Sequence, residues 1–551
     1  MPNRALGTFM AIAVLALLGG WAMVLLARSR EAPPPLPPYE VPALAPDEPL
    51  PPPPSGRLAS RQVLRLNNSA EPATLDPAKM TGLHELNVAL ALFEGLTSLH
   101  PRTLRPVPGV AESWDVSPDG RRYVFHLRPA RWSNGGPLTA ADFVWSWQRV
   151  LDPATQAKYA SLLYCIEGAR PGSGPPGFRA LDERTLEVRL EAPTPYLLEL
   201  LAFATFAPVP RGSVEAHQER WTRPGSLVSN GPFILAEWRP FERILLRRNP
   251  HYWDAGRAAI EEIDVLAISD AETALKKCLN SELDWIRELP GEKVAAAARL
   301  PGFRYAPQLN TYFFRFNVGR PPLDDRRVRQ ALNLAVDKES IARYLLRAGQ
   351  RPARSFVPPI LPGYTPPEGP AYHPEHARRL LADAGYPGGR GFPRLALLYN
   401  SSGSHQQIAE AIQHMWKAEL GIHIALTNQE WGVYQTSMQN RDYDIARSSW
   451  VADYADPSSF LDCFATGSGN NRTGWSHAGY DEQLALAARE TDPIRRMALL
   501  REAERILVCD EMPILPLYFY VNAYVVHPRV RGVYDNWRNF HPYQYVYVAA
   551  D

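Results

Sequence analysis

The segment 442–460, DYDIARSSWVADYADPSSF, gathers a cation, aromatics and carboxylates between hydrophobic runs. Arg447, Trp450 and Asp453 recur at spacings of three, which suits a pocket wall better than a solvated face. Asp453 comes directly after Val451 and Ala452, two small apolar residues. A carboxylate buried there needs a cationic partner, because an unpaired buried charge costs several kcal/mol or more. Two partners are open: Arg447 in an internal salt bridge, or the ammonium group of a ligand.

No reaction constellation accompanies these charges. The chain contains no G-x-x-x-x-G-K-[ST] phosphate loop, no G-x-S-x-G elbow and no H-E-x-x-H helix. His373 and His376 lie three apart in HPEH, but no third ligand stands at motif spacing. Neither a metal site nor a cofactor is therefore expected. The Gly-rich pieces at 172–174 and 467–469 read as turns. Without a nucleophile, base and orienting group, the chain reads as a binder rather than an enzyme.

Composition narrows what is bound. The 59 basic and 58 acidic residues nearly cancel and form no long basic run, so nucleic acid has no electrostatic footprint. The 14 Trp and 24 Tyr are many; most should fill cores, but such side chains also grip varied ligands through flat faces and polar tips. Cys165, Cys278, Cys463 and Cys509 show no C-x-x-C spacing, and the sequence does not choose a disulfide among them.

The elements that must position these residues are readable by period. Residues 62–66, 123–127, 185–190, 243–247 and 312–316 alternate as strands. Helical patterns cover 142–150, with Thr139 as N-cap, and 328–335, 374–384, 405–420 and 493–507. At 551 residues and 45% hydrophobic, the chain can build two or three cores of mixed α/β class, with no short internal repeat. Ahead of them, residues 5–27 carry no charge, enough for a helix of roughly 34 Å. This reads as an uncleaved membrane anchor, with a cleaved signal peptide as the rival and Gly20-Trp21-Ala22 as its cleavage site. Either way the remainder is exported. Residues 31–56 are proline-dense and should act as an extended spacer.

Several markers together resemble one family. NPHYWDAG at 249–256, DDRRVRQALNLAVDK at 324–338 and LLADAGYPGG at 380–389 look like extracytoplasmic solute-binding proteins of family 5. SNGPF at 229–233 and YNSSGSHQQIA at 399–409 narrow the resemblance to the oligopeptide-binding branch, receptors of peptide ABC importers. It runs from about residue 61 to 548. It implies an α/β, periplasmic binding protein type II-like (class C) fold in which two lobes close over the ligand beside an additional domain. Residues 1–30 would be the signal or anchor and 31–59 the linker. Domain I would take 60–93, 211–309 and 522–551, domain II 94–210 and domain III 310–521.

The partners implied are oligopeptides, held extended by backbone pairing, and the permease subunits of the importer. Asp453 matches the family's aspartate for the peptide ammonium. Arg447 and His405 match cations that receive the peptide carboxylate. Trp431 and Tyr159 match pocket-lining residues, Trp450 lies in the binding segment, and Asn230-Gly231 matches a backbone-contact turn. Tyr520 joins the same peptide-binding set. A lysine of the family falls at Leu346, beside Arg347; an acidic position near the amine falls at Thr81; a disulfide pair falls at Asn310 and Val451. These departures bear on peptide length, not on the amine anchor. The alternatives are a relative specialised for murein peptides, and a membrane-tethered peptide sensor or chaperone uncoupled from transport.

Overall fold

A computed structural model describes residues 48–550, apart from Ser55 and Ser402. Two long antiparallel strands, Phe303–Phe316 and Ile514–Val526, organise the chain. Their register breaks between Pro307 and Thr311: residues 303–307 pair with 521–525, and residues 311–315 with 514–519. Pro307 has no N–H for the ladder, so an interruption there follows from its chemistry.

Each half of this ribbon seeds part of an eleven-stranded sheet. Beyond the first half come Trp285–Ile286, Val63–Asn67, Glu262–Leu266, Arg243–Arg248 and Phe233–Arg239. Beyond the second come Ile445–Val451, Leu395–Asn400 and Ile424–Gln429, while Arg351–Pro352 pairs with Ile514–Val526. The first half buries Leu64, Leu92, Phe233, Ile263 and Trp285 with Tyr543 from the C-terminal segment, forming a first lobe.

The second half is covered on both faces, forming a third lobe. Alternation sends Tyr312, Phe314 and Phe316 to one face, under helices Arg326–Leu334 and Gly403–Leu420. It sends Phe313 to the other, where Phe356, Phe460 and Phe464 stack edge-on. A second lobe, inserted in the sequence of the first, has its own four-stranded antiparallel sheet: Ala111–Val116, Arg122–Leu127, Thr185–Arg189 and Phe178–Asp182. Helix Ala140–Leu151 follows Thr139, whose main-chain N–H donates to Asp142 at 2.8 Å. Its Trp147 fills that lobe's core and donates to the carbonyl of Phe206 at 2.9 Å.

The strands and helices read from periodicity are all present, with ends shifted by a few residues. The strand expected at 312–316 begins earlier, at Phe303, because its first part includes Pro307 and Asn310 and hides the alternation. The hydrophobic run 5–27 and the prolines up to residue 47 lie outside the described residues. No helix among the described residues is long and apolar enough to cross a membrane. The end of the proline-rich segment does not stand off as a spacer. Glu48 pairs with Arg102 at 2.5 Å, its carbonyl accepts from Arg105 at 2.7 Å, and Pro49 meets His100 at 3.1 Å. Three contacts to one turn outweigh the preference of prolines for open solvent. The four cysteines are free, and Asn310 and Val451 stand directly opposite one another across neighbouring strands.

One buried ion pair pins the loop after Ile445–Val451: Arg496 donates twice to Asp456, at 2.5 and 2.9 Å. Breaking it strands a carboxylate in the interior. Arg496→Met should cost about 3–5 kcal/mol in denaturant unfolding, whereas Arg505→Met, removing the exposed pairs to Glu502 and Asp510, should cost about 0–1 kcal/mol.

Candidate functional site

The strand Ile445–Val451 is paired along its whole length with Asn310–Phe316. On its other side it meets Leu397 and Leu398 only through Ile445 and Ala446. Among the described residues, no strand pairs with that edge from Arg447 onward. Ala452 donates its N–H to Leu309, on the paired side. Alternation therefore turns the N–H and C=O groups of Ser449 and Val451 to the open side. The carbonyl of Arg447, also on that side, is taken by the hydroxyl of Tyr434.

Charges stand at both ends of this open edge. Six residues of extended chain separate Arg447 from Asp453, about 20 Å at 3.3 Å per residue. They do not pair with one another, and among the described residues neither forms an ion pair. The internal salt bridge that the sequence left open is thus absent from this state.

Arg447 is buried, with its guanidinium 4.8 Å from the centre of the Tyr312 ring. It donates to the hydroxyl of Tyr520 at 3.0 Å and to Asn400 at 3.4 Å, while its Nε has no partner among the described residues. Burial works against its charge, but the oxygens of Tyr520, Tyr312 and Tyr434 outweigh burial and hold its pKa up. His405, at the start of the long helix, lies 3.4 Å from the Tyr312 hydroxyl. Burial, and then the neighbouring Arg447, push its imidazole down to about 4. The cation expected at His405 is therefore a neutral ring near pH 7 in this state. A carboxylate arriving at Arg447 would oppose the second of these causes.

Asp453 is the converse case. Its main chain is fixed, N–H to the Ser459 hydroxyl at 2.9 Å and carbonyl to Arg538 at 2.6 Å. Its carboxylate makes no hydrogen bond among the described residues. Burial pushes its pKa up to about 6, against the pull of Arg538. Tyr159 reaches the same spot from the second lobe. Packed edge-on against Phe203 at 5.4 Å, its phenol is raised by burial and then by the charge of Asp453.

The remaining predicted residues divide. Trp431 opens helix Trp431–Asn440, is 54% exposed and stacks on Tyr434 at 5.7 Å, beside the cationic end. Trp450 faces the opposite side of the strand from Arg447, donates to the Ser459 carbonyl at 2.7 Å and packs on the aromatic core. Asn230 and Gly231 make contacts within the protein. Asn230 binds the main chain of Glu94 through both ends of its amide, at 2.8 and 3.2 Å. Gly231 donates to Leu92, and a Cβ on it would lie 2.5 Å from the Leu92 carbonyl carbon. These bonds occupy the Asn230 amide and the Gly231 main chain inside the protein. The sequence reading missed Tyr312, Tyr434 and Tyr518 around Arg447. The alternation Tyr518-Phe519-Tyr520 was the available signal, since it places two phenols on one face.

Comparison with known proteins places the chain in a family. Residues 105–472 match the family described as bacterial extracellular solute-binding proteins, family 5. The chain belongs to that family. The periplasmic oligopeptide-binding protein OppA of Escherichia coli is 37% identical over 494 residues, 86% of this chain and 90% of that protein. The periplasmic murein peptide-binding protein MppA of the same organism is 37% identical over 497 residues, covering 87% and 92%. The crystal structure of Haemophilus influenzae OppA in complex with RPPGFSPFR superposes with a TM-score of 0.77 at 33% identity, covering 90% of this chain and 100% of that one. The fold is the type II periplasmic binding-protein fold.

The pKa of Asp453 sets a pH dependence. Only its ionised form attracts an ammonium group, and that form is lost as pH falls through about 6. Affinity for a free-amine peptide should rise by about twofold from pH 8 to 7, as the peptide's α-amine of pKa about 7.7–8.0 gains its proton, and fall by up to about tenfold per pH unit below 6. Calorimetric titration across this range checks it, and an N-acetylated peptide should not show the same fall.

Proposed function

We propose that this chain is the extracytoplasmic peptide-binding receptor of an ABC importer. The observation that carries the proposal is the strand edge at Ser449 and Val451, unpartnered among the described residues and running between a buried guanidinium and a part-buried carboxylate. An extended peptide adds to such an edge through main-chain hydrogen bonds, which give affinity without selecting side chains. Its ammonium group meets Asp453 and its carboxylate meets Arg447, with His405 and Tyr520 beside it. At about 4 Å and an effective dielectric near 20, the ammonium pair is worth roughly 4 kcal/mol before desolvation. Tyr159 and Trp431 line side-chain space.

Domains I (60–93, 211–309, 522–551), II (94–210) and III (310–521) then move as bodies, with the register break in the long ribbon as the hinge. The segment 5–27 tethers the receptor to the outer face of the cytoplasmic membrane, and permease subunits take the peptide from it. The likeness to the murein peptide-binding protein supports a second reading, with murein peptides as ligands of the same site.

Mass spectrometry of the ligand that co-purifies with the chain separates the two readings; neither survives if the ligand is not a peptide. Asp453→Asn should weaken binding of free-amine peptides by more than about 1.4 kcal/mol, a tenfold loss. If the variant and the wild type discriminate equally between acetylated and free peptides, the ammonium assignment is wrong.

A further inference from the structure

Four consecutive residues at the proposed amine end are held by three different parts of the molecule. Asp453 gives its carbonyl to Arg538, which comes from the C-terminal segment, at 2.6 Å. Tyr454 lays its ring flat on Tyr196 of the second lobe, with centroids 3.8 Å apart, and sits within that lobe's core. Ala455 donates its N–H to Glu199 of the second lobe at 2.8 Å. Asp456 takes the fork of Arg496 inside the third lobe. Arg538 and Glu199 approach one another to 4.0 Å, with side chains only 17% and 16% exposed.

The third lobe therefore meets the other two beside Asp453, through an ion pair whose two ends grip the same short loop. Burial disfavours charge on each partner: it lowers the pKa of Arg538, against the pull of Glu199 and Asp453. It raises that of Glu199, against the bond from Ala455 and the charge of Arg538. A buried pair of this kind is weak as adhesive, because desolvation offsets its attraction, yet it demands one geometry. Its bonds to Asp453 and Ala455 exist only while the third lobe stands against the other two. Contacts of that sort form after a ligand has entered and must break before it leaves.

We propose that Glu199 and Arg538 are a closure latch, positioning Asp453 over the peptide ammonium and setting the lifetime of the closed state rather than the rate of capture. The proposal rests on the reading of Asp453 as the ammonium site. Closed-state contacts act on dissociation more than on association. Tyr196 and Tyr454 supply the apolar half of the latch, since their stacked rings leave water when the lobes meet.

Stopped-flow kinetics and small-angle scattering of the full chain, with tri-alanine and N-acetyl-tri-alanine as probes, test it. Glu199→Ala should speed tri-alanine dissociation at least about tenfold with association changed less than about twofold. The peptide-bound variant should scatter as a more open particle than the bound wild type. Glu199→Gln keeps an acceptor for Ala455 and should recover part of the lifetime, which a merely structural role would not require. Unchanged dissociation and scattering in both variants overturns the latch. Failure of the ammonium reading looks different: the wild type would hold the two probes equally while Glu199→Ala still opened the particle.

Discussion

The long antiparallel ribbon formed by Phe303–Phe316 and Ile514–Val526 is the constraint on which the rest of the molecule depends. It is one hydrogen-bonded unit, yet its ends belong to different cores. One end is fixed by Trp285 and its neighbours, the other by Tyr312, Phe314 and the helices above them. Only a short unpaired stretch around Pro307 to Thr311 lies between. Backbone pairing is stiff where it is continuous and soft where donors are missing, so bending concentrates there. Every residue of the site is placed relative to this ribbon. Tyr520 stands on one of its strands, Arg447 on the strand beside the other, and Asp453 just past the end of that strand.

The second constraint is electrostatic. Arg447 is withdrawn from water and Asp453 partly so, and among the described residues neither forms an ion pair, a costly arrangement. Arg447 is compensated by phenol oxygens and the face of Tyr312, and Asp453 by a shift towards its neutral form. These are partial remedies. Each leaves attraction unspent for a charge of the right sign, and the separation of the two keeps them from satisfying each other.

How much of this was legible in the sequence depended on whether the information was local. Regular alternation gave the strands at 63–67 and 185–189 and the helices at 326–334 and 493–505, because burial of one face imposes a period. The charged segment around Asp453 was legible because buried charges are rare after small apolar residues. Separation of Arg447 from Asp453 came from the family resemblance and not from their spacing: it depends on the strand being extended and on a neighbouring strand whose pairing stops at Ala446. The uses of Asn230, Gly231 and Trp450 inside the protein were hidden for the same reason. Their partners, Glu94, Leu92 and Ser459, are chosen by tertiary packing that no short motif encodes. The neutral ring of His405 likewise follows from the arginine folded against it.

The open edge at Ser449 and Val451 has a consequence for solubility. A row of free main-chain groups invites any extended chain, including a strand of another molecule, and such edges seed aggregation. Here the invitation is limited by what flanks it. Arg447 and Asp453 close the row at both ends, and Tyr159 of another lobe crowds the acidic one. A long polypeptide has no charged termini at that spacing and cannot settle into the row as a continuous strand. In the proposed reading, the charged ends that favour a short peptide would thus disfavour pairing with a strand of another copy.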